Sequence, residues 1–571
     1  MAVTILTARA HRLFPAVVEA LGERVRRGET CLMLVPEQFT LAAERELMTR
    51  LHLTGMFLID VMSPSRFSEH VLAAAGRDGR EPLDDAGRRM ALSQALERLE
   101  DRLPYYGSIA QRRGFVEKLS ALITDMKRGG LDPDGLRDYA DSLGKGVTQD
   151  KLRDLATIYA QYREVLRGRF SDSEDQLVYV AGRLGDSGFL TGKHLYVYGF
   201  DTLPEQLMRL LCAAAPLCES LTIALVSDSQ SAPDADLYAP IRQGVKRFQK
   251  LLAQSGLSAR VRALPPAPLP RPAAIRHLDR VLFAHPSPPF AGVPEDVFLF
   301  DGLSPYEEAT LMTRRVRWVL AQGVDPERVT VLYPDDGGYA FAVTAALEDS
   351  GIPFYTDRQL PAASHGLVRF WLAALRAMAD GWRNRDMLAL LKSGYAPLSF
   401  EEACEMENYA YCYGVDRARW NRPFTRGPEA ERMEPLRRRL MEPLLRARAA
   451  LIAARDTSAS LAAAFGLLQD VHAYEALERE EARLLESGFL SRAGQNSQVW
   501  QAVLRLLDQM HKLSGGARIP LKHIAARLEC GFSAVTLKAL PPAAGMVHAG
   551  ALGHLLAEEA DAVFILGLND G

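Results

Sequence analysis

The chain has 571 residues, a near-balanced charge (68 Lys+Arg against 71 Asp+Glu, net −3) and 48% hydrophobic residues. Such a length exceeds one small core, and the apolar fraction excludes a disordered or collagen-like chain. Six scattered Cys exclude a disulfide framework and fit a reducing cytoplasm, no stretch of about 18 uncharged apolar residues predicts a membrane span, and the charge excludes a histone-like coat while leaving room for a local basic groove.

The chain opens as strand, helix, strand, helix. Val3–Thr7 predicts a strand, and Leu13–Arg26 a helix with Leu13, Val17, Val18, Leu21 and Val25 on one stripe. Cys31–Val35 is a run of five apolar residues typical of a buried parallel strand, ended by Pro36. Thr40–Leu51 predicts a helix, Phe57–Met62 a third strand, and Ser63-Pro64-Ser65 a turn. From Phe67 to Leu184 helical patterns follow one another, among them Gly87–Leu99, Arg113–Met126 and Asp150–Leu166, with no strand expected between them. Strands resume at His194–Tyr198 and Leu221–Ser227. Residues 263–292 are rich in Pro and read as an extended linker. A second α/β unit follows: strand Asp296–Asp301, helix Tyr306–Gln322, strand Val329–Tyr333, helix Tyr339–Ser350 and strand Ile352–Tyr355. A helical block fills 366–535 before a last strand, Ala562–Leu566. Alternating strands and helices predict an α/β fold with doubly wound parallel sheets. Because α/β folds place ligands at strand-to-loop junctions, the stop at Gly571 is expected to interrupt a protein that continues.

The first strand-to-helix turn is where a phosphate loop belongs, with Gly for close backbone approach and Lys for the phosphates. Here it reads Thr7-Ala8-Arg9-Ala10-His11-Arg12, without Gly or a Lys-Ser/Thr pair. Ala8, Arg9, His11 and Arg12 form at most a degenerate nucleotide loop, and ATP hydrolysis is not expected. The loop after His194–Tyr198 holds one acid, Asp201, expected to cap the following helix rather than to hold Mg²⁺. Cys212/Cys218 and Cys404/Cys412 lack metal-ligand spacing, so each Cys is expected to be a buried apolar residue. His548 and His554 have no acidic partner at ligand spacing, and Asp335-Asp336 before Gly337-Gly338 read as a turn. Arg417–Arg448 holds ten Arg against four Glu and no Lys or Asp, a net +6, with Trp420 and Phe424 inside it. Arg417, Arg419, Arg422 and Arg426 beside aromatic platforms suit a groove tracking a nucleic-acid backbone; a solvated helix face with Glu–Arg pairs is the alternative. In Pro36-Glu37-Gln38-Phe39-Thr40, polar side chains leave a strand end and, with Arg66, suit base-edge reading; a helix cap by Thr40 competes.

Several islands together resemble the AddB family, the second component of bacterial AddAB helicase–exonucleases, called RexB in some lineages. They are Leu34-Val35-Pro36-Glu37-Gln38-Phe39-Thr40, Ser63-Pro64-Ser65-Arg66-Phe67, Ser173-Glu174-Asp175 and Tyr196-Val197-Tyr198-Gly199-Phe200. Glu407-Asn408-Tyr409, Tyr413-Gly414-Val415, Trp420 and Phe564-Ile565-Leu566-Gly567-Leu568-Asn569-Asp570-Gly571 follow in family order. The resemblance implies a superfamily-one helicase-like architecture of two RecA-like domains, each carrying a large helical insertion. On that reading 1–70 and 190–262 form the first domain and 71–189 its insertion. The Pro-rich linker is 263–292; residues 293–365 and 545–571 form the second domain and 366–544 its insertion. It implies an AddA-like partner as the main motor, in a heterodimer on single- and double-stranded DNA that processes double-strand breaks for recombinational repair. It also implies that the AddB half threads the 3′-ended strand and scans it for the hotspot Chi. A 4Fe–4S cluster and Mg²⁺ would belong to a C-terminal nuclease domain beyond Gly571, none to this chain. Chi recognition, carried over, falls on Glu37, Gln38, Thr40, Arg66 and Phe200.

This sequence departs from the family at Pro64, where members often have an aromatic, and at Glu69, where some carry Trp. Residues 7–12 lack the Gly-rich loop that many members keep, which puts ATP binding in doubt. The expectation is a non-hydrolysing, helicase-like DNA-binding protein with no catalytic residue and no metal site of its own. An active ATP-dependent helicase and a purely structural scaffold are the rivals.

Overall fold

A computed structural model describes residues 2–76, 79–99, 102–110, 112–228, 234–334, 338–356, 360–487, 490–538, 545–552 and 560–569. It is an α/β protein with two parallel sheets and one large helical body.

The first sheet has six strands: β1 (Ala2–Ala8), β2 (Thr30–Leu34), β3 (Ile59–Met62), β6 (Lys193–Val197), β7 (Ser220–Val226) and β8 (Ala259–Ala263), in the order β3-β2-β6-β7-β1-β8. Every pairing is parallel. A parallel sheet must be covered on both faces, and the alternation of side chains shows how. Cys31, Met33 and Val35 point to one face, where helices α1 (Ala10–Arg26) and α2 (Thr40–Arg50) bring Leu13, Val17, Leu21 and Leu47. Leu32 and Leu34 point to the other, against α3 (Pro64–Ala75) and the helices Glu205–Ala214 and Ala239–Gln254. Leu34 lies opposite both Met62 and Val197, so β2, β3 and β6 end level. On the other half Ala8 lies opposite Val226 and Thr7 opposite Ala263.

The second sheet is smaller. β9 (Val329–Tyr333), β10 (Phe354–Thr356), β13 (Val547–Ala551) and β14 (Ala562–Ile565) pair in parallel in the order β10-β13-β9-β14. The strand expected at Asp296–Asp301 is not formed: the segment has no regular structure, and Phe298, Leu299 and Phe300 are exposed. β13, which lies beside β9, is not among the expected strands: it is a strand of small residues (Val-His-Ala-Gly-Ala) without the branched run that flags a buried strand. The helical stretch 67–184 is interrupted, against expectation, by β4 (Glu81–Leu83), which pairs in parallel with β5 (Phe170–Asp172). β11 (Leu360–Pro361) and β12 (Thr536–Leu537) form an antiparallel pair.

The two long helical stretches share one core. Met90, Leu92 and Leu96 of the helix Asp85–Arg98 pack with Leu528 and Phe532 of the helix Leu521–Ala534. Trp371, fully buried, donates its indole N–H to the Ala464 carbonyl at 2.9 Å. Across the junction Glu97 accepts bonds from Arg527 at 2.6 and 3.0 Å, and His523 Nδ1 lies 2.8 Å from it; Glu97 and Arg527 are 5% and 9% exposed. Burial alone would raise the Glu97 carboxyl, but the bonds from His523 and Arg527 outweigh it and hold its pKa below the ordinary value. Glu97→Gln should therefore destabilise the helical body by about 3–5 kcal/mol, the cost of leaving a buried partner unpaired, measured by denaturant unfolding. Because the folded pKa is depressed, the carboxylate's contribution is complete above its unfolded value and is lost as pH falls through the folded one. Wild type and variant should converge in acid.

Candidate nucleic-acid interface

The carboxyl edge of the first sheet carries two clusters. The first is built on the loops after β2, β3 and β6. Pro36 ends β2, and a single turn, Glu37–Phe39, leads into α2. Ser63 caps α3, its hydroxyl accepting the Arg66 N–H at 3.3 Å, with Pro64 in the first turn where no donor is missed. Glu37 Oε1 accepts the Ser65 N–H at 3.2 Å, tying the β2 loop to the β3 loop. Gly199, at φ +82°, brings the β6 loop against them: a Cβ there would lie 3.3 Å from Pro36 Cδ and 3.4 Å from Phe39. Arg66 is 56% exposed with its nearest carboxylate, Glu44, 4.0 Å away, so its donors face solvent. Thr40 makes no cap; its hydroxyl donates to the Glu37 carbonyl at 3.2 Å, and Phe39 holds the cap position. Phe200 is half-buried and packs on the core beneath the loop instead of standing clear of it. The Gln38 side chain lies outside the described residues. Asp201 does not cap the next helix either: the cap is Pro204, whose carbonyl accepts the Met208 N–H at 2.9 Å, and Asp201 is exposed.

The second cluster surrounds Arg9, between Ala8 and the start of α1. Its guanidinium meets three carboxylates: Asp228 at 2.6 Å, Asp234 at 2.8 and 2.9 Å, and Asp279 at 3.5 Å, whose carbonyl it also reaches at 2.5 Å. The Tyr238 ring lies 6.0 Å beneath it. Burial alone would lower the Arg9 pKa, but the bond to Asp228 and the surrounding negative charge outweigh it and raise it. His11 Nε2 lies 3.1 Å from the Ala267 carbonyl, and Arg12 Nε is buried without a hydrogen-bond partner among the described residues. Asp279 belongs to a helix, Ala273–Val281, inside the Pro-rich stretch, and Leu264 still bonds to Thr7. That stretch thus leans on the first sheet, where composition suggested only an extended spacer. Separation hides the trio: Asp228, Asp234 and Asp279 lie more than 200 residues from Arg9.

The Arg-rich segment is less basic on its surface than in sequence. Trp420 and Phe424 are buried, not stacking platforms; their rings pack 6.0 Å apart in the helical core. Arg437 is buried too, bonded to Glu434 and to the Trp420 carbonyl at 2.9 Å. Glu434 also takes Arg438 and the Phe424 N–H, and the Arg437 bond is the main cause of its pKa falling to about 2. Arg432 pairs with Glu405, Arg439 with Glu402 and Arg446 with Asp470. Arg419 braces the Gly414 carbonyl at 2.6 Å, while Arg417, Arg422 and Arg426 are exposed.

Among the described residues no three His, Cys, Asp or Glu side chains are placed to hold a metal ion. Asp335, Asp336 and His554 lie outside the described residues. Cys31, Cys218 and Cys530 are buried as expected, but Cys412 is exposed and Cys212 and Cys404 are half-buried. No helix is long and apolar enough to cross a membrane. At the second sheet's edge, Glu308 accepts the Gly567 N–H at 3.0 Å and the Tyr339 hydroxyl at 2.9 Å, fixing the loop after β14.

A family model described as ADDB, N-terminal, matches residues 8–279, from the edge of the Arg9 turn to Asp279. Proteins named as the second subunit of ATP-dependent helicase/deoxyribonuclease match nearly the whole chain. That of Pelotomaculum thermopropionicum is 28% identical over 95% of this chain and 50% of its own length. That of Moorella thermoacetica is 27% identical over 100% of this chain and 52% of its own, and that of Heliobacterium modesticaldum 28% over 95% and 47%. The chain is thus similar to AddB proteins over nearly its whole length, and its residues 8–279 match the family's N-terminal model. It spans about half the length of the curated relatives it matches.

The Arg9 cluster carries a stability prediction. Arg9→Met leaves Asp228, Asp234 and Asp279 facing one another and should cost about 3 kcal/mol or more in denaturant unfolding. Adding Asp234→Asn should recover part of the loss, a coupling that two independent sites would not show.

Proposed function

We propose that the chain is the helicase-like, non-hydrolysing DNA-binding part of the AddB component of a helicase/deoxyribonuclease that processes double-strand breaks for recombinational repair. An AddA-like partner supplies ATP-driven translocation, and this chain scans the passing single strand for a Chi-type hotspot. Its two sheets are RecA-like domains, 1–70 with 190–262 and 293–365 with 545–571, carrying the insertions 71–189 and 366–544.

The observation that carries this reading is what stands at the two halves of the first sheet's edge. A motor domain holds nucleotide phosphates where Arg9 now stands. Here that position is filled by the chain's own cation inside three carboxylates, which repel a triphosphate, and no glycine loop offers backbone N–H groups to one. The other half keeps an exposed guanidinium, Arg66, on a loop fixed by Glu37 and held against Gly199. Arg66 would bond a base edge, Glu37, Gln38 and Thr40 would contribute polar contacts, and Phe200 would wall the site. Arg417, Arg422 and Arg426 would contact phosphates, which position the strand without reading it.

The purified chain should show no DNA-stimulated ATP hydrolysis, and turnover in a phosphate-release assay would restore the active-helicase reading. In the complex assembled with its motor partner, Arg66→Ala should lower the hotspot response at least tenfold while unwinding continues at the wild-type rate. Equal loss of both would remove Arg66 from sequence reading.

A further inference from the structure

A cleft of about 430 Å³ opens in the helical body between the turn after the helix Gly366–Asp380 and the turn after the helix Phe400–Cys412. Its volume falls within the roughly 300–1,000 Å³ of ligand pockets. Arg383, Arg385 and Arg417 line it, with Asn384 and Asp416 on its wall and Tyr411 beside them. The two turns are locked face to face: the Arg417 N–H donates to the Trp382 carbonyl at 3.0 Å and the Asn384 N–H to Asp416 Oδ1 at 2.7 Å. Both bonded residues of the first pair are left-handed, Trp382 at φ 65° and Arg417 at φ 51°. Bulky residues hold that conformation only where their surroundings force it, and such positions gather at binding sites. Trp382 is anchored in the core at 3% exposure.

The three guanidiniums are under-used. Arg383 lies 3.6 Å from Asp380, Arg385 3.7 Å from Asp386 and Arg417 3.8 Å from Asp416, all beyond hydrogen-bond length. Two of these acids already serve other donors, since Asp386 binds Arg376 at 3.2 Å and Asp416 binds the Asn384 N–H. Forked donors without bidentate partners match phosphate oxygens. Tyr411 stands 64% exposed beside them, a ring face open to a base. Arg422 and Arg426, which follow Arg417 along the chain, are exposed as well.

We infer that this cleft seats one nucleotide of a single DNA strand, its phosphate on Arg383, Arg385 and Arg417 and its base on Tyr411. The inference rests on the DNA-binding reading above and adds a site to it.

The test is fluorescence anisotropy of labelled oligo(dT) with the whole chain over a range of salt. Arg385→Glu should weaken binding about tenfold or more and reduce the slope of log affinity against log salt by about one. Tyr411→Ala should weaken oligo(dT) about tenfold yet leave an abasic strand of equal length bound as by wild type. Both side chains are exposed, and unchanged unfolding midpoints would verify the fold. Wild-type affinity in both variants would overturn the cleft assignment while the DNA-binding reading stood. No binding by the wild-type chain would overturn that reading as well. Displacement of the strand by thymidine monophosphate at concentrations near the strand's own Kd would assign the cleft to a free nucleotide and overturn the strand assignment.

Discussion

Parallel strands cannot be joined by short turns, and this constraint distributes everything else in the molecule. Each strand of the first sheet delivers its loop to the same edge, and strand order decides which loops meet. In the order β3-β2-β6-β7-β1-β8, the loops after β3, β2 and β6 fall together, as do those after β7, β1 and β8. The first group holds Arg66, Glu37 and Gly199; the second holds Asp228, Arg9 and the stretch that carries Asp279. One edge is thus split into a polar surface and an ion cluster.

The same constraint makes room for the helices. A crossover has no fixed length, so the excursion between β3 and β6 can carry a helical layer, and so can the one between β10 and β13. These excursions leave different sheets yet merge in one core, from Met90 and Leu96 to Leu528 and Phe532. Glu97 is the polar rivet at that junction, satisfied by His523 and Arg527 from the other excursion.

How much was legible follows from the range of each signal. β2 stands out because five consecutive apolar residues have few other uses, and β9 because Val-Thr-Val-Leu-Tyr is a β-branched and aromatic run. β13 does not, because a central strand flanked by close neighbours can be built of Ala and Gly, and Val297–Phe300 misled because its apolar run is exposed and without regular structure. At the interface, the capping turn of Ser63 is a local pattern, visible as Ser-Pro-Ser, whereas the approach of Gly199 to Pro36 joins loops 163 residues apart. The Arg9 cluster is not local. Nothing near residue 9 announces three aspartates folded in from 228, 234 and 279, and only the strand order brings them together.

The arginines show why composition alone misjudges a binding surface. Ten of them between 417 and 448 suggest one basic strip, but their meaning depends on what acid each meets. Arg437 is a core residue because Glu434 and the Trp420 carbonyl satisfy its donors. Arg432, Arg439 and Arg446 are offset by acids from other helices, Glu405, Glu402 and Asp470. Arg9 is the extreme case, a cation met by more negative charge than it carries. What is left is a short stretch, 417–426, where the acid beside Arg417, Asp416, already serves the Asn384 N–H, and Arg383 and Arg385 join the stretch from the start of another helix. Exposed arginines with weakly placed counter-charges are expensive to gather, since like charges repel unless something answers them. Their convergence on one strained turn is what distinguishes a site that awaits an anion from a helix face that merely stays wet.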